Sequence, residues 1–257
     1  SRARSLCTGR DATNCAKLFV PFKQRYRFAQ RYSLIGCAIE KNFSTVLTAI
    51  LCMLHDRRFV EKGRSLTGED FHHRFCGRRN EGDTMAALLA KMKVSIDNVT
   101  LIGITRHPVD RFISGFADKC RKEETWKKSA SRCCGCQRDL WCFVKRMYAR
   151  IMKSQGQKQH TSFDDDHFFP QAWRCEFSSF LRQYSMLDFS SSNTSHFYSD
   201  LLDILSSSGV PDESIQYIRS SLTTGRTGHA TVDSVERQEV EREVRSSPRI
   251  MALLVRM

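Results

Sequence analysis

Two short apolar runs, each followed directly by a helical pattern, constrain the fold of this chain more than any other feature. Residues Ser33–Ile39 are almost entirely apolar and lead into a helical pattern over Ser44–Leu54. Residues Val99–Thr105 repeat the arrangement, and Pro108 opens a helix that continues over Asp110–Lys119, because proline loses no needed donor at the first helical position. Such runs are typical of buried parallel strands. Their order predicts right-handed βαβ units and an α/β fold with a parallel sheet.

The rest of the chain predicts further helices and one insertion. A chain of 257 residues with 40% hydrophobic residues can bury a full core, and we expect one domain over residues 1–257. Residues 121–160 are basic, rich in cysteine and broken by Gly, Ser and Gln, and we interpret them as an insertion over an edge of the sheet. The other predicted helices cover Asp83–Met92, Ser195–Ser207, Asp212–Leu222 and Ser234–Arg245, with a last helix from Pro248.

The charge of the chain predicts anionic partners. The formal net charge is +13 and the sequence pI is about 9.4. Nucleic acid, an anionic membrane, a phosphorylated cofactor and an acidic glycan all satisfy this charge. The basic residues are spread along the chain and form no single block, which argues against a nucleic-acid-binding tail.

Eleven cysteines suggest an oxidising compartment, and the odd number leaves at least one thiol free or paired between chains. Cys37 and Cys52 lie in apolar runs, and we interpret them as buried free thiols. The cluster at residues 133–142 predicts disulfides that tie the insertion to Cys120 or Cys175. The alternative is a zinc site, although the spacing is not that of paired C-x-x-C knuckles. Such a zinc site would be formed by Cys133, Cys136, Cys142 and one further residue.

Secretory features accompany the cysteines. Glycosylation sequons occur at Asn42, Asn98 and Asn193. No apolar run is long enough to span a bilayer. The chain begins at Ser1 and ends inside the apolar run Ile250–Val255. We therefore expect that an amino-terminal anchor is missing from this sequence and that its carboxyl end is truncated.

The first strand–helix junction predicts an anion site. Lys41, Ser44 and Thr45 lie between the buried strand and the start of the helix. Backbone N–H groups and the helix dipole favour negative charge there. The segment is not a Walker A loop, since G-x-x-x-x-G-K-[ST] is absent. The alternative is a loop lysine beside ordinary Ser or Thr capping.

The second junction is more specific. Arg106 lies where the strand ends, and Ser114 lies about two turns into the following helix. Both could reach one phosphate above the carboxyl edge of the sheet. Arg111 precedes Ser114 by one turn and could help, or could pair with Asp110 or another acid. A capped helix with two surface arginines explains the charges but not the order of strand, arginine, proline, helix and serine.

Together the two junctions resemble the paired nucleotide-binding loops of sulfotransferases. Residues 36–45 resemble the 5′-phosphosulfate loop. The likeness is greatest to carbohydrate sulfotransferases of the chondroitin 4-O-sulfotransferase-like and 2-O-sulfotransferase-like types. The 3′-phosphate motif R-x-P-x-x-R-x-x-S-x-[FY] is matched by Arg106, Pro108, Arg111, Ser114 and Phe116.

Two later segments extend the resemblance over residues 33–257, apart from the insertion. Residues 165–171 with Cys175 resemble the D-x-H-[WF]-x-P…C segment, and residues 225–231 resemble the late loop that closes over the nucleotide. One departure is Glu40, which stands where a proline often precedes the loop lysine. It is either a functional carboxylate or a residue turned away from the loop. A glycan on Asn42 would block the nucleotide, so we expect this sequon to stay unmodified.

The resemblance implies a fold and a reaction. The fold is a P-loop-like three-layer α/β arrangement, in which helices flank a central parallel sheet. The reaction transfers sulfate from 3′-phosphoadenosine 5′-phosphosulfate (PAPS) to a glycan hydroxyl, with an acidic, chondroitin-like glycosaminoglycan as the expected acceptor. No metal is required, because fixed cations stabilise the charge. The implied location is the Golgi lumen, as a type II membrane protein, or secretion. Membrane contact is expected only through the missing anchor, and nucleic acid is not expected as a partner.

The resemblance also implies roles for particular residues. Lys41 would stabilise the charge on the leaving oxygen. His167 would be the general base, oriented by Asp165 and Asp166; a structural histidine bonded to a loop carbonyl is the alternative. The 5′-phosphate would be held around Ser44 and Thr45 and the 3′-phosphate by Arg106 and Ser114. The remaining donor-binding residues would be Asn42, Arg226, His229 and Thr231.

Two other function classes compete with this hypothesis. A P-loop-like nucleoside or sugar kinase would need a magnesium-binding acid after a later strand, and Thr105-Arg106 occupies that place. A non-catalytic module that binds polyanions would fit the net charge. It would leave the arrangement of the two junctions unexplained.

Overall fold

The computed structural model describes residue 7 and residues 9–70, 73–155, 162–190, 193–225 and 231–257. The chain divides into two units. The sheet unit comprises Phe22–His107 and Arg174–Ala230, and the helical unit comprises Ser1–Pro21, Pro108–Trp173 and Thr231–Met257. The expectation of one domain over residues 1–257 stays a prediction.

The sheet unit is built on a mixed five-stranded sheet in the order β3-β1-β2-β4-β5. Strands β2, β4 and β5 are parallel, while β1 pairs antiparallel with β2 and β3. The predicted α/β fold, with parallel strands flanked by helices, is confirmed; the antiparallel edge is an addition to it. The strands are β1 (Tyr26–Ala29), β2 (Leu34–Cys37), β3 (Glu81–Gly82), β4 (Thr100–Thr105) and β5 (Tyr184–Asp188).

Helices pack on both faces of this sheet. Alternate residues of each strand face opposite sides of the sheet. Leu34 and Ile102 therefore share a core with α1, α8 and α9, while Ile35 and Leu101 share one with α3. A Cβ on Gly36 would lie 2.6 Å from Leu51 Cδ1, so glycine permits the close approach of α1. The helices are α1 (Ser44–His55), α2 (Arg58–Glu61), α3 (Met85–Met92), α7 (Phe177–Phe180), α8 (Thr194–Ser207) and α9 (Asp212–Thr224).

The helical unit contains a cluster of four phenylalanine side chains. Phe112, Phe116, Phe143 and Phe168 contact one another with ring centroids 4.6–6.3 Å apart. A 15-residue helix, α5, lies inside the predicted insertion; the place of that segment over an edge of the sheet stays a prediction. The helices are α4 (Pro108–Phe116), α5 (Leu140–Ser154), α6 (Phe163–Phe168), α10 (Val235–Ser246) and α11 (Pro248–Leu254).

The helix after β4 ends earlier than predicted. α4 changes at Phe116 into a π-helical turn over Ala117–Lys122. Side-chain donors satisfy two carbonyls of this turn: Thr125 Oγ1 donates to Lys119 at 3.1 Å, and Trp126 Nε1 donates to Cys120 at 3.3 Å. The wider turn therefore does not leave these carbonyls without partners.

All cysteines except Cys134 form disulfides. The prediction that Cys37 and Cys52 are free thiols is wrong, because an apolar environment suits a buried disulfide as well as a thiol. The predicted bridge from Cys120 into the insertion is confirmed, whereas Cys175 bonds to Cys37. The five pairs are Cys7–Cys15, Cys37–Cys175, Cys52–Cys76, Cys120–Cys133 and Cys136–Cys142.

The zinc alternative fails on the same pairing, since its three cysteines are all disulfide-bonded. Among the described residues, no group of His, Cys, Asp or Glu side chains is placed to hold a metal ion. Within the same part of the chain, no helix combines the length and the apolar character that crossing a bilayer requires.

Candidate active site

The loop between β2 and α1, residues 38–43, leaves the start of α1 open. Lys41 and Phe43 have φ angles of 69° and 61°, in the left-handed region. Phe43 is the N-cap of α1, and no side chain caps the helix there. The capping alternative therefore does not hold, because Ser44 and Thr45 lie inside the first turn. The arrangement presents backbone donors, two hydroxyls and the half-buried Lys41 at a helix N-terminus, as an anion site requires.

Two buried side chains hold this loop against the end of β4. Asn42 Nδ2 donates to the Ile104 carbonyl at 2.9 Å, and Arg106 Nη1 donates to the Lys41 carbonyl at 3.0 Å. The Arg106 guanidinium also lies 5.3 Å from the centroid of the Phe189 ring. Left-handed backbone at non-glycine residues persists only where such contacts enforce it. The amide nitrogen of Asn42, where a glycan would attach, is engaged in the folded loop.

Glu40 is a buried anchor of the loop. Arg25 Nη1 lies 2.5 Å from one of its carboxylate oxygens, and Arg174 pairs with the other. The disulfide Cys37–Cys175 joins the same two chain segments one residue beyond Arg174. The Glu40 carboxylate is thus directed at two guanidinium groups that compensate its charge. We call Arg25, Glu40 and Arg174 the Glu40 clamp.

We expect Glu40→Gln to lower the free energy of unfolding by about 3–5 kcal/mol, because the change leaves two arginines, one almost fully buried, without their carboxylate. Urea unfolding followed by circular dichroism would measure this loss. Glu61→Gln is the matched control, since it removes an exposed carboxylate from the short helix α2. Equal unfolding midpoints for both variants would contradict the role given to the clamp.

In the helical unit, two residues assigned to the donor lie together. Ser114 Oγ is 3.2 Å from Thr231 Oγ1, and the two side chains are 4% and 3% exposed. Arg111 is also buried, and its Nη1 donates to the Phe169 carbonyl at 2.9 Å. Arg111 therefore joins α4 to the end of α6. Arg226 and His229, also predicted to contact the donor, lie outside the described residues.

His167 lies on α6 with a defined tautomer. Its Nδ1 is 2.7 Å from the Phe163 carbonyl oxygen. A carbonyl oxygen only accepts, so Nδ1 carries the proton and Nε2 is the basic nitrogen of the neutral ring. A hydrogen bond to a carbonyl is what the structural alternative for His167 expects, although the carbonyl belongs to a helix and not to a loop. The tautomer that this bond fixes is also the one that a general base acting through Nε2 requires.

The acids around His167 hold α6 in place. Asp165 binds Arg150 of α5 with two contacts, at 2.5 and 2.8 Å, and its carboxylate also caps the helix through the Ser162 N–H. Asp164 accepts from the N–H groups of Cys133 and Cys134 at 3.1 and 2.8 Å. No local sequence pattern predicts these contacts, since the partners lie 15 to 31 residues away. The helix that carries His167 is therefore fixed to α5 and to the turn that contains Cys133 and Cys134.

Comparisons with known proteins agree on one family. Residues 24–257 match the sulfotransferase family. The chain is 34% identical to an uncharacterized Caenorhabditis elegans protein, C18B2.2, over 99% of this chain and 72% of that protein. It is 31% identical to the carbohydrate sulfotransferase chst-1 of the same organism, over 93% of this chain and 74% of the relative. No solved structure matches the chain.

Proposed function

The chain belongs to the sulfotransferase family, and within that family we propose that it transfers sulfate from PAPS to a hydroxyl of a chondroitin-like, acidic glycosaminoglycan. The observation that carries the proposal is the loop of residues 38–43, whose lysine stands before an uncapped helix. A relative named as a carbohydrate sulfotransferase supports a glycan acceptor. The family match displaces the kinase alternative.

The chemistry needs a cation at the leaving group. In the proposed reaction, the acceptor oxygen attacks sulfur, the bond from sulfur to the 5′-phosphate oxygen breaks, and 3′-phosphoadenosine 5′-phosphate leaves. Lys41 stabilises the charge that develops on that oxygen. The N–H groups of the first turn of α1, with Ser44 and Thr45, bind the 5′-phosphate. The side chain of Asn42 acts on the loop, through its bond to Ile104.

The proton of the acceptor hydroxyl also needs a destination. We assign it to Nε2 of His167, since the Phe163 carbonyl holds the proton of the neutral ring on Nδ1. The 3′-phosphate is assigned to Arg106 and Ser114, and Thr231 is assigned to the donor nucleotide. The contact of Ser114 with Thr231 supports a shared role for these two hydroxyls. Fixed cations and dipoles supply the stabilisation, so the proposal includes no metal.

A direct assay tests the function. Radiolabelled sulfate from PAPS would be offered with chondroitin, dermatan, heparan and neutral N-glycan acceptors. Incorporation into chondroitin is the expected result. Transfer to the neutral glycans alone would overturn the acidic acceptor, and transfer to none of them would overturn the proposed reaction. Thermal stabilisation by ATP with magnesium, but not by 3′-phosphoadenosine 5′-phosphate, would restore the kinase alternative.

The proposed compartment is oxidising: the Golgi lumen, through an amino-terminal anchor, or the secreted state. Five disulfides support it, because such bonds persist where glutathione does not keep thiols reduced. The sequon residues Asn98 and Asn193 are exposed and open to glycosylation, whereas Asn42 is buried.

Recognition of the 3′-phosphate gives a prediction with an internal control. Ser114→Ala should weaken binding of 3′-phosphoadenosine 5′-phosphate by about 1–2 kcal/mol, because a hydroxyl donor to a charged group is lost. Arg106→Ala should cost about 1.5–3 kcal/mol. Calorimetry with this ligand and with adenosine 5′-phosphate, which lacks the 3′-phosphate, would measure both losses.

The two ligands separate recognition of the phosphate from support of the loop. Ser114→Ala should leave binding of adenosine 5′-phosphate unchanged. Arg106 also donates to the Lys41 carbonyl. Arg106→Ala should therefore weaken the binding of adenosine 5′-phosphate as well, but by less than it weakens the binding of 3′-phosphoadenosine 5′-phosphate. Equal losses for both ligands in Arg106→Ala would show that this arginine acts on the loop alone.

A further inference from the structure

Half of the net charge of the chain lies in a short segment of the helical unit. Residues 121–155 contain ten Lys or Arg and three Asp or Glu, so this segment carries +7 of the total +13. A solvated protein surface usually mixes both signs. A surplus of this size in 35 residues favours contact with a polyanion.

Three of these ten cations lie on one exposed face of α5. Residues 141, 145, 146, 149 and 153 are exposed, and helical spacing places them on the same side, with no acid among them. The buried side of α5 carries the apolar residues of the helix. We call Trp141, Lys145, Arg146 and Lys153 the α5 basic face.

These charges lack compensation within the described part of the chain. Neither Lys145, Arg146 nor Lys153 forms an ion pair with a described acid. Arg146 donates to the Cys134 carbonyl at 2.7 Å, and this neutral acceptor does not compensate the positive charge of the arginine. In contrast, Lys127 and Arg138 nearby share Glu124. The α5 basic face therefore retains the charge that an anionic partner would neutralise.

An exposed aromatic residue accompanies the charges. Trp141 is 40% exposed, and Lys145 Nζ lies 5.6 Å from the centroid of its ring. An indole surface packs against the apolar face of a sugar ring while the adjacent ammonium binds its acidic substituent. A tryptophan beside a lysine is thus suited to an acidic glycan.

The face is rigid and coupled to the proposed general base. The disulfide Cys136–Cys142 fixes the first turn of α5. From the same helix, Arg150 binds Asp165 of α6, the helix that carries His167. A chain bound along α5 would therefore meet a surface whose position relative to His167 is set by ionic contacts.

We propose that the α5 basic face binds the acceptor as a polymer, at sugars beyond the one that receives sulfate. This inference rests on the proposed function and deepens it: the acceptor is a polyanionic glycan longer than the reacting unit. Binding here would raise the local concentration of acceptor hydroxyls without taking part in the chemistry. The face would set the preference for long over short acceptors.

Charge reversal tests the proposal. In Lys145→Glu/Lys153→Glu, the ratio of kcat/KM for chondroitin polymer to that for a chondroitin disaccharide should fall about tenfold at low salt, because charge attraction along the polymer becomes repulsion. Trp141→Ala should lower the same ratio by a few fold. The control Arg57→Glu/Lys62→Glu makes the same change in charge at exposed positions of the sheet unit and should leave the ratio unchanged.

Binding measured without turnover separates this proposal from the proposed function. Fluorescently labelled chondroitin decasaccharide should bind the wild type and lose affinity only in the α5 variants, even if no sulfate is transferred. An unchanged ratio and affinity in Lys145→Glu/Lys153→Glu, or an equal loss in the control, would overturn the proposal. So would a DNA oligonucleotide of equal charge that binds as tightly and responds equally to the α5 variants. Unchanged melting temperatures would confirm that every variant is folded.

Discussion

Replacing Lys41 with alanine is expected to lower kcat for sulfuryl transfer by about 10²–10³-fold, the loss typical of one electrostatic donor to developing charge. The effect falls on kcat because the lysine charge matters most as the leaving oxygen becomes negative. The bond that positions this residue, from Arg106, goes to its carbonyl and survives the change. Alanine also adopts the left-handed backbone of residue 41 at no greater cost than lysine does.

Two further variants sharpen this prediction. Lys41→Met retains most of the length of the side chain and loses only the charge, so it should be as inactive as Lys41→Ala. Lys41→Arg restores a charge with a different shape and should recover part of the activity. Single-turnover assays with chondroitin and PAPS, together with melting temperatures, provide the measurements. Near-normal turnover in Lys41→Met with unchanged melting would remove Lys41 from the mechanism.

Reduction of the disulfides is expected to have the largest effect on stability. Each bridge contributes typically about 2–4 kcal/mol by restricting the unfolded chain, and more for a longer loop. Cys37–Cys175 closes a loop with a sequence separation of 138, while Cys136–Cys142 closes one of 6. On the chain-entropy scale these correspond to about 5 and about 2 kcal/mol. A reductant should therefore lower the melting temperature sharply, and a metal chelator under non-reducing conditions should not.

Paired substitutions rank the individual bridges. Cys37→Ala/Cys175→Ala should destabilise the protein more than Cys136→Ala/Cys142→Ala, as measured by urea unfolding. The first pair should also weaken donor binding, because this bridge adjoins the Glu40 clamp. Mass spectrometry of unreduced peptides would identify the pairs directly. Free thiols at all these positions in protein recovered from secreting cells would overturn the oxidising compartment but not the donor site.

The central strands were predictable because their sequences are unusually simple. β2 and β4 are buried along nearly their whole length, and continuous apolar runs predict such strands. β1 was missed because Arg27 interrupts its apolar pattern; this residue is buried beside Glu81, at 3.3 Å, a contact that only the folded sheet provides. β5 is buried only at Tyr184 and Leu187, so its five residues form neither a continuous apolar run nor a regular alternation that would predict a strand.

The candidate site divides in the same way between local and distant signals. Lys41 and Arg106 were identified from the order of strand, loop and helix around them. The Glu40 clamp was not, because its arginines lie 15 and 134 residues away and only the fold brings them to one carboxylate. The disulfide of Cys37 was missed for the same reason, with its partner 138 residues distant.

The unpaired Cys134 has a consequence for how the other bridges persist. It lies between Cys133 and Cys136, both already bonded. Burial, reinforced by the carboxylate of Asp164, raises the pKa of its thiol to about 12. Thiol–disulfide exchange begins with attack by a thiolate, and at neutral pH a thiol with so high a pKa is almost entirely protonated. The Cys134 thiol should therefore react only slowly with the neighbouring disulfides. Disulfide exchange among these cysteines should begin only in alkaline solution, or after the turn that contains Cys133 and Cys134 has opened.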